Sequence, residues 1–125
     1  MKKSLSFLIV CLLIACSGGF KEKGEIKLKN GEGQEVSIPY QINGFTDFSK
    51  IVSKDDFFII VQKASDEAKT RCKYKPTYVP VSIDIFNKHD TITTLHSFTA
   101  KNAFGVPDEL RSYCKFKGTD IIDSF

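Results

Sequence analysis

Few side chains in this sequence are equipped for chemistry. They are four cysteines (Cys11, Cys16, Cys72, Cys114), two histidines (His89, His96) and three adjacent carboxylate pairs, Asp55-Asp56, Asp66-Glu67 and Asp108-Glu109. A thiolate is a strong nucleophile and metal ligand. Imidazole exchanges protons near neutrality. Neighbouring carboxylates can divide acid and base roles between them. The spacing, however, builds no catalytic pattern: there is no GxSxG elbow, no HExxH helix, no phosphate-binding loop and no dinucleotide glycine motif. A helix cap, a solvated helix face and a turn account for the three carboxylate pairs. His89 falls in a turn and His96 in a strand, and their spacing with Cys72 and Cys114 matches no finger-like zinc pattern. The expectation is a protein that is not an enzyme and holds no metal or dissociable cofactor.

Cys16 stands in the most informative context. Lys2 and Lys3 open the chain, and residues 5–15 form an apolar run broken only by Ser6. A helix of that length rises about 16 Å, half the hydrocarbon core of a bilayer. This is the length of a signal-peptide core, too short for a spanning anchor. The run ends Leu13-Ile14-Ala15-Cys16 and continues Ser17-Gly18-Gly19. It resembles the lipobox of bacterial lipoproteins, over residues 1–19 alone. The resemblance implies a diacylglyceryl group on the Cys16 thiol and cleavage between Ala15 and Cys16. In Gram-negative bacteria it also implies an acyl chain, such as palmitate, on the freed amine. The competing reading is an ordinary secretory signal whose cut site contains a cysteine. With three acyl chains, each buried methylene contributing about 0.8 kcal/mol, anchoring is effectively permanent. Serine rather than aspartate after the cysteine suits an outer-membrane lipoprotein facing the periplasm.

Cleavage changes what the remaining residues imply. The formal charge of +3 falls to +1 as Lys2 and Lys3 leave. Only Arg71 and Arg111 are arginines, so no basic stripe for nucleic acid remains. Cys11 is removed. Cys72 and Cys114 are then an even pair in an exported protein, which reads as a disulfide. Closing a loop of about 43 residues would contribute on the order of 4 kcal/mol. Residues 16–24 look like a flexible tether, leaving one domain over 25–125.

Periodicity supplies the elements. Val36, Ile38, Tyr40 and Ile42 alternate with polar residues and Pro39, so 36–42 reads as a half-buried strand. Pro39 lacks an N–H and suggests a sheet edge. A turn at Asn30-Gly31-Glu32-Gly33 pairs this strand with 25–30 as a hairpin. Ser53-Lys54-Asp55-Asp56 resembles a capping box. Phe57, Ile60, Val61, Ala64 and Ala68 follow at helical spacing, predicting a helix over 54–70. Strands are expected over 78–87, 91–101 and 109–117, with a short terminal one. The fold class is α+β, one amphipathic helix packed on an antiparallel sheet in the order ββ-α-βββ(β).

One loop remains, residues 102–108, carrying Phe104 and Val106 with Gly105 and Pro107. Phe104 and Val106 either fold back to cap the end of the core or form an aromatic anchor for a partner's pocket. A tethered compact domain without catalytic groups suggests a protein-binding module of the inhibitor, immunity or exclusion type. The alternative is a structural accessory lipoprotein of an envelope, secretion or conjugation complex. A permanent subunit should expose a large apolar patch, a transient binder a smaller one.

Overall fold

The computed structural model describes residues 20–44 and 47–125. Ala15 and Cys16 lie outside the described residues. Seven principal elements follow the expected order: β1 (Phe20–Lys29), β2 (Glu35–Gly44), α1 (Lys54–Thr70), β3 (Val79–Lys88), β4 (Thr91–Lys101), β5 (Pro107–Lys117) and β6 (Asp120–Ser124). The strands form a single six-stranded sheet in sequence order. The class is α+β, a mostly antiparallel sheet with one principal helix.

Two features of the sheet differ from expectation, both for the same reason. The β2–β3 pair is parallel, running from Tyr40↔Ile83 to Gly44↔Asn87. Between those strands the chain must return along the whole sheet, and α1 makes that crossing; neighbours joined through a helix run parallel. β2 is consequently an interior strand, not an edge. Pro39 is tolerated because the β3 ladder begins one residue later, at Tyr40. The true edges are β1 and β6.

β1 also starts earlier than the sequence suggested. Phe20 to Gly24 pair with Gly44 to Tyr40, so residues 20–24 belong to the sheet and not to a tether. Their alternation was hidden because the inward positions are Glu22 and Gly24, which carry no apolar signal. Pairing with β2 supplies the order instead.

The helix forms where its stripe predicts. Ser53 Oγ accepts the Asp56 N–H at 3.1 Å, and Asp55 and Asp56 complement the positive end of the helix dipole. Ser53→Ala should lower stability by about 1 kcal/mol, read as a shift in the urea midpoint at unchanged slope. Ile60, Val61 and Ala64 pack on Ile26, Leu28, Ile38, Ile42, Ile83, Ile85, Ile92 and Phe116 from the sheet. Phe57 is partly buried, edge-on to Tyr40 at 5.3 Å and to Phe48 at 5.7 Å. Ala68 belongs to a second cluster with Cys72, Tyr78, Phe98 and Ala100, towards the helix C-terminus.

The topology gives the sheet two distinct ends. β1 begins at the end that also carries the turns at 89–90 and 118–119. The opposite end, about 33 Å away along a ten-residue strand, carries the turns at 30–34 and 102–106.

Candidate functional site: a rigid loop bearing Phe104

The loop between β4 and β5 is organised by one side chain. Asn102 Oδ1 accepts the N–H of Phe104 at 2.9 Å and that of Val106 at 3.2 Å. The Asn102 backbone donates to the Val106 carbonyl at 2.9 Å and accepts from Gly105 at 3.0 Å. Gly105 closes the turn at φ +75°, a left-handed conformation that disfavours any residue with a Cβ. Phe104 projects from this frame with 90% of its surface exposed, and Val106 is 54% exposed. Of the two readings of this loop, capping of the core does not fit these exposures.

The turn between β1 and β2 serves as an internal comparison. Asn30 Oδ1 accepts the N–H groups of Glu32 at 3.0 Å and Gln34 at 2.9 Å. The Asn30 N–H donates to the Gln34 carbonyl at 2.8 Å, its carbonyl accepts from Gly33 at 3.1 Å, and Gly33 has φ +83°. Asn-Gly-Glu-Gly-Gln and Asn-Ala-Phe-Gly-Val thus build the same five-residue turn with the same four bonds. At its third position one carries glutamate and the other phenylalanine. The turn geometry consequently does not require Phe104. The shared Asn-x-x-Gly spacing is the signal that would have revealed Asn102 and Gly105 in the sequence.

Other residues of chemical interest are sealed into the fold. His96 and Tyr78 are fully buried. His96 Nδ1 faces the Ser82 carbonyl at 2.9 Å, an atom that only accepts, so this nitrogen carries the proton. Nε2 then accepts from the Tyr78 hydroxyl at 2.6 Å, and Tyr78 accepts from Ser65 at 2.9 Å. The chain of bonds runs from Ser65 through Tyr78 and His96 to the Ser82 carbonyl. Burial pushes the Tyr78 phenol up to about 12, only partly offset by the Ser65 bond. This network braces α1 against β3 and β4. His89 lies at the other end of the sheet, in an exposed turn at φ 56°. Among the described residues no three His, Cys, Asp or Glu side chains gather to hold a metal ion.

The carboxylate pairs have structural roles or face solvent. Asp55 and Asp56 lie in the first helical turn. Asp66 accepts from Gln62, and Glu67 accepts from Ser124 at 3.1 Å and faces Arg71 at 3.8 Å. Asp108 and Glu109 are exposed at the start of β5.

Cys72 and Cys114 are both buried free thiols, so the expected disulfide does not form here. They occupy different clusters. Cys72 Sγ turns back to the Ala68 carbonyl of its own helix at 3.5 Å, whereas the register sets Cys114 opposite Thr94 in the main core. Burial pushes both thiols up, which keeps them protonated and unreactive. The argument from a disulfide to an oxidising compartment falls with the bond. Thiol titration in guanidinium should find both Cys72 and Cys114 reactive, identified by peptide mass. Labelling of neither would restore the disulfide.

The chain matches no family model, and no curated protein or solved structure matches it.

Proposed function

We propose that the protein is a bacterial lipoprotein, anchored through lipid on Cys16, that binds another protein through the Phe104 loop. It acts as a capture module of the inhibitor, immunity or exclusion type and performs no catalysis. The observation carrying this reading is the pair of equivalent turns. Where Glu32 occupies a solvated turn at no cost, the chain exposes a phenylalanine on an otherwise identical frame. A rigid loop also loses little conformational entropy on binding, so the apolar gain from Phe104 is retained. Phe104 lies at the end of the sheet opposite the start of β1, away from the expected anchor. Among the described residues no helix is long and apolar enough to cross a membrane.

The test is crosslinking and pull-down of the lipidated protein from its native cell envelope. Wild type should recover a discrete protein that Phe104→Glu does not. Equal recovery by both would sink the reading.

A second reading, a structural accessory of a larger envelope complex, draws support from another surface. Phe86 and Phe125 are 44% and 63% exposed, and Phe125 stacks on Tyr113 at 4.7 Å, on the sheet face away from α1. That reading expects co-migration with a large membrane complex, lost on Phe86→Ser and indifferent to Phe104→Glu.

A further inference from the structure

The start of β1 at Phe20 places only three residues, Ser17, Gly18 and Gly19, between the sheet and Cys16. Such a leash spans at most about 14 Å. If Cys16 carries lipid, as in the function proposed above, the first strand must lie close to the bilayer, and its surface should suit that setting.

β1 is an edge strand that carries four lysines and two glutamates, Glu22 and Glu25. Its register sets Ile26 and Leu28 into the core, which turns Lys21, Lys23, Lys27 and Lys29 to the opposite face, interrupted only by Glu25. All four lysines are exposed, and no salt bridge to any of them appears among the described residues. Glu25 accepts from Ser37 at 3.2 Å. On the helix side of the same edge, Phe58 and Ile59 stand 48% and 42% exposed beside Ile26, Lys27 and Leu28. Lysines that guard an edge strand against pairing explain part of this row. They do not explain an exposed aromatic and isoleucine on the flank of the same edge. Flexible lysine stems with an adjacent aromatic are the chemistry of a surface that meets lipid headgroups.

We infer that the β1 edge, through Lys21, Lys23, Lys27, Lys29 and the flanking Phe58, lies along an anionic phospholipid surface. The occupant is the headgroup layer, argued from charge complementarity and from the short leash to Cys16. In this orientation the sheet stands on its first strand. β4, which leads into the Phe104 loop, is then three strands above the bilayer, about 15 Å from β1, leaving Phe104 free for a partner. The lysines set orientation; the acyl chains supply retention.

The chain contains no tryptophan, so Phe58→Trp introduces a single reporter. The lipidated full-length product is reconstituted in vesicles of phosphatidylcholine with brominated acyl chains, with or without phosphatidylglycerol. The Phe58→Trp fluorescence should be quenched when phosphatidylglycerol is present and recover at high salt, while a Phe104→Trp reporter stays unquenched throughout. On the wild-type chain, acetylation of Lys21, Lys23, Lys27 and Lys29 should slow roughly fivefold on the anionic vesicles. The exposed Lys115 and Lys117, on β5 four strands away from β1, should react at unchanged rates. Equal labelling on both vesicle types, with Cys16 lipidated by peptide mass, overturns this orientation and leaves the Phe104 reading standing. An unmodified Cys16 overturns the anchor and this orientation together, while capture through Phe104 is scored separately by the pull-down.

Discussion

Replacing Phe104 by glutamate should leave unfolding stability within about 0.5 kcal/mol of wild type and, if the loop captures a partner as proposed, weaken that capture roughly thirtyfold or more. The stability half of this expectation follows from exposure. Phe104 is 90% exposed, so its loss removes almost no buried apolar area, and Glu32 shows that the same turn accepts glutamate at that position. The binding half follows from the physics of aromatic anchors, which concentrate free energy in one desolvated side chain. The matched turns allow a sharper version. Gly33→Ala and Gly105→Ala each force a Cβ into the left-handed region, at φ +83° and +75°, with open space around both. Each should cost about 1–2 kcal/mol, because the strain is conformational and not steric. The two variants are thus equal in stability and differ only in which turn is disturbed. Capture should weaken for Gly105→Ala and stay intact for Gly33→Ala. Pull-down titrations beside urea melts of the three variants decide the matter. Equal binding across all of them would show that Phe104 is merely a tolerated surface residue.

The sequence was most legible where a single periodicity governs an element. Phe57, Ile60, Val61, Ala64 and Ala68 could form a buried stripe only as a helix, and Ser53 marked its start; α1 spans Lys54–Thr70. In Thr91–Lys101, buried and half-buried positions alternate up to Ala100, as its β-branched pattern implies. Pairing was less legible, because period-2 alternation is the same whether a neighbour runs parallel or antiparallel. A helix between β2 and β3 was nevertheless a usable signal of the parallel step. Residues 20–24 read as a tether because Lys21, Glu22, Lys23 and Gly24 carry no apolar rhythm. Their order comes from backbone pairing with β2, a long-range property. The cysteine pair misled for a related reason: an even count fixes neither proximity nor direction, and Cys72 and Cys114 end in separate clusters. For the candidate site, Phe104 was conspicuous from its small neighbours. Its frame went unseen because the similarity of residues 30–34 and 102–106 lies in hydrogen bonds that only two of five positions encode.

Acidification should destabilise the protein below neutrality, and His96 should account for it. Burial is the main influence on this imidazole and holds its pKa below the usual 6.5, with the Ser82 carbonyl bond opposing in part. In the unfolded chain the ring binds a proton at its ordinary value. As pH falls through 6.5 the unfolded state therefore takes up protons that the folded state refuses. His96 leaves stability unaffected above 6.5 and costs stability below it, by at most about 1.4 kcal/mol per pH unit for one proton. The surroundings explain the refusal. Nδ1 already donates to Ser82, so a new proton must go to Nε2, where the Tyr78 hydroxyl donates at 2.6 Å. Accepting it would require Tyr78 and Ser65 to reverse their donor direction. Urea unfolding of wild type and His96→Gln between pH 7.5 and 5.5 isolates the effect, since most carboxylates titrate below that window. His96→Gln should be less stable at pH 7.5, yet show a flatter slope through the window. Tyr78→Phe offers an independent check. It leaves Nε2 and the Ser65 hydroxyl unpaired in the core, at a cost of about 1–3 kcal/mol near neutrality. It also leaves Nε2 without its donor, so protonation no longer requires a hydroxyl to reverse, and the acid loss should be smaller than in wild type. Parallel pH slopes for all three proteins would place the acid sensitivity elsewhere and remove His96 as its source.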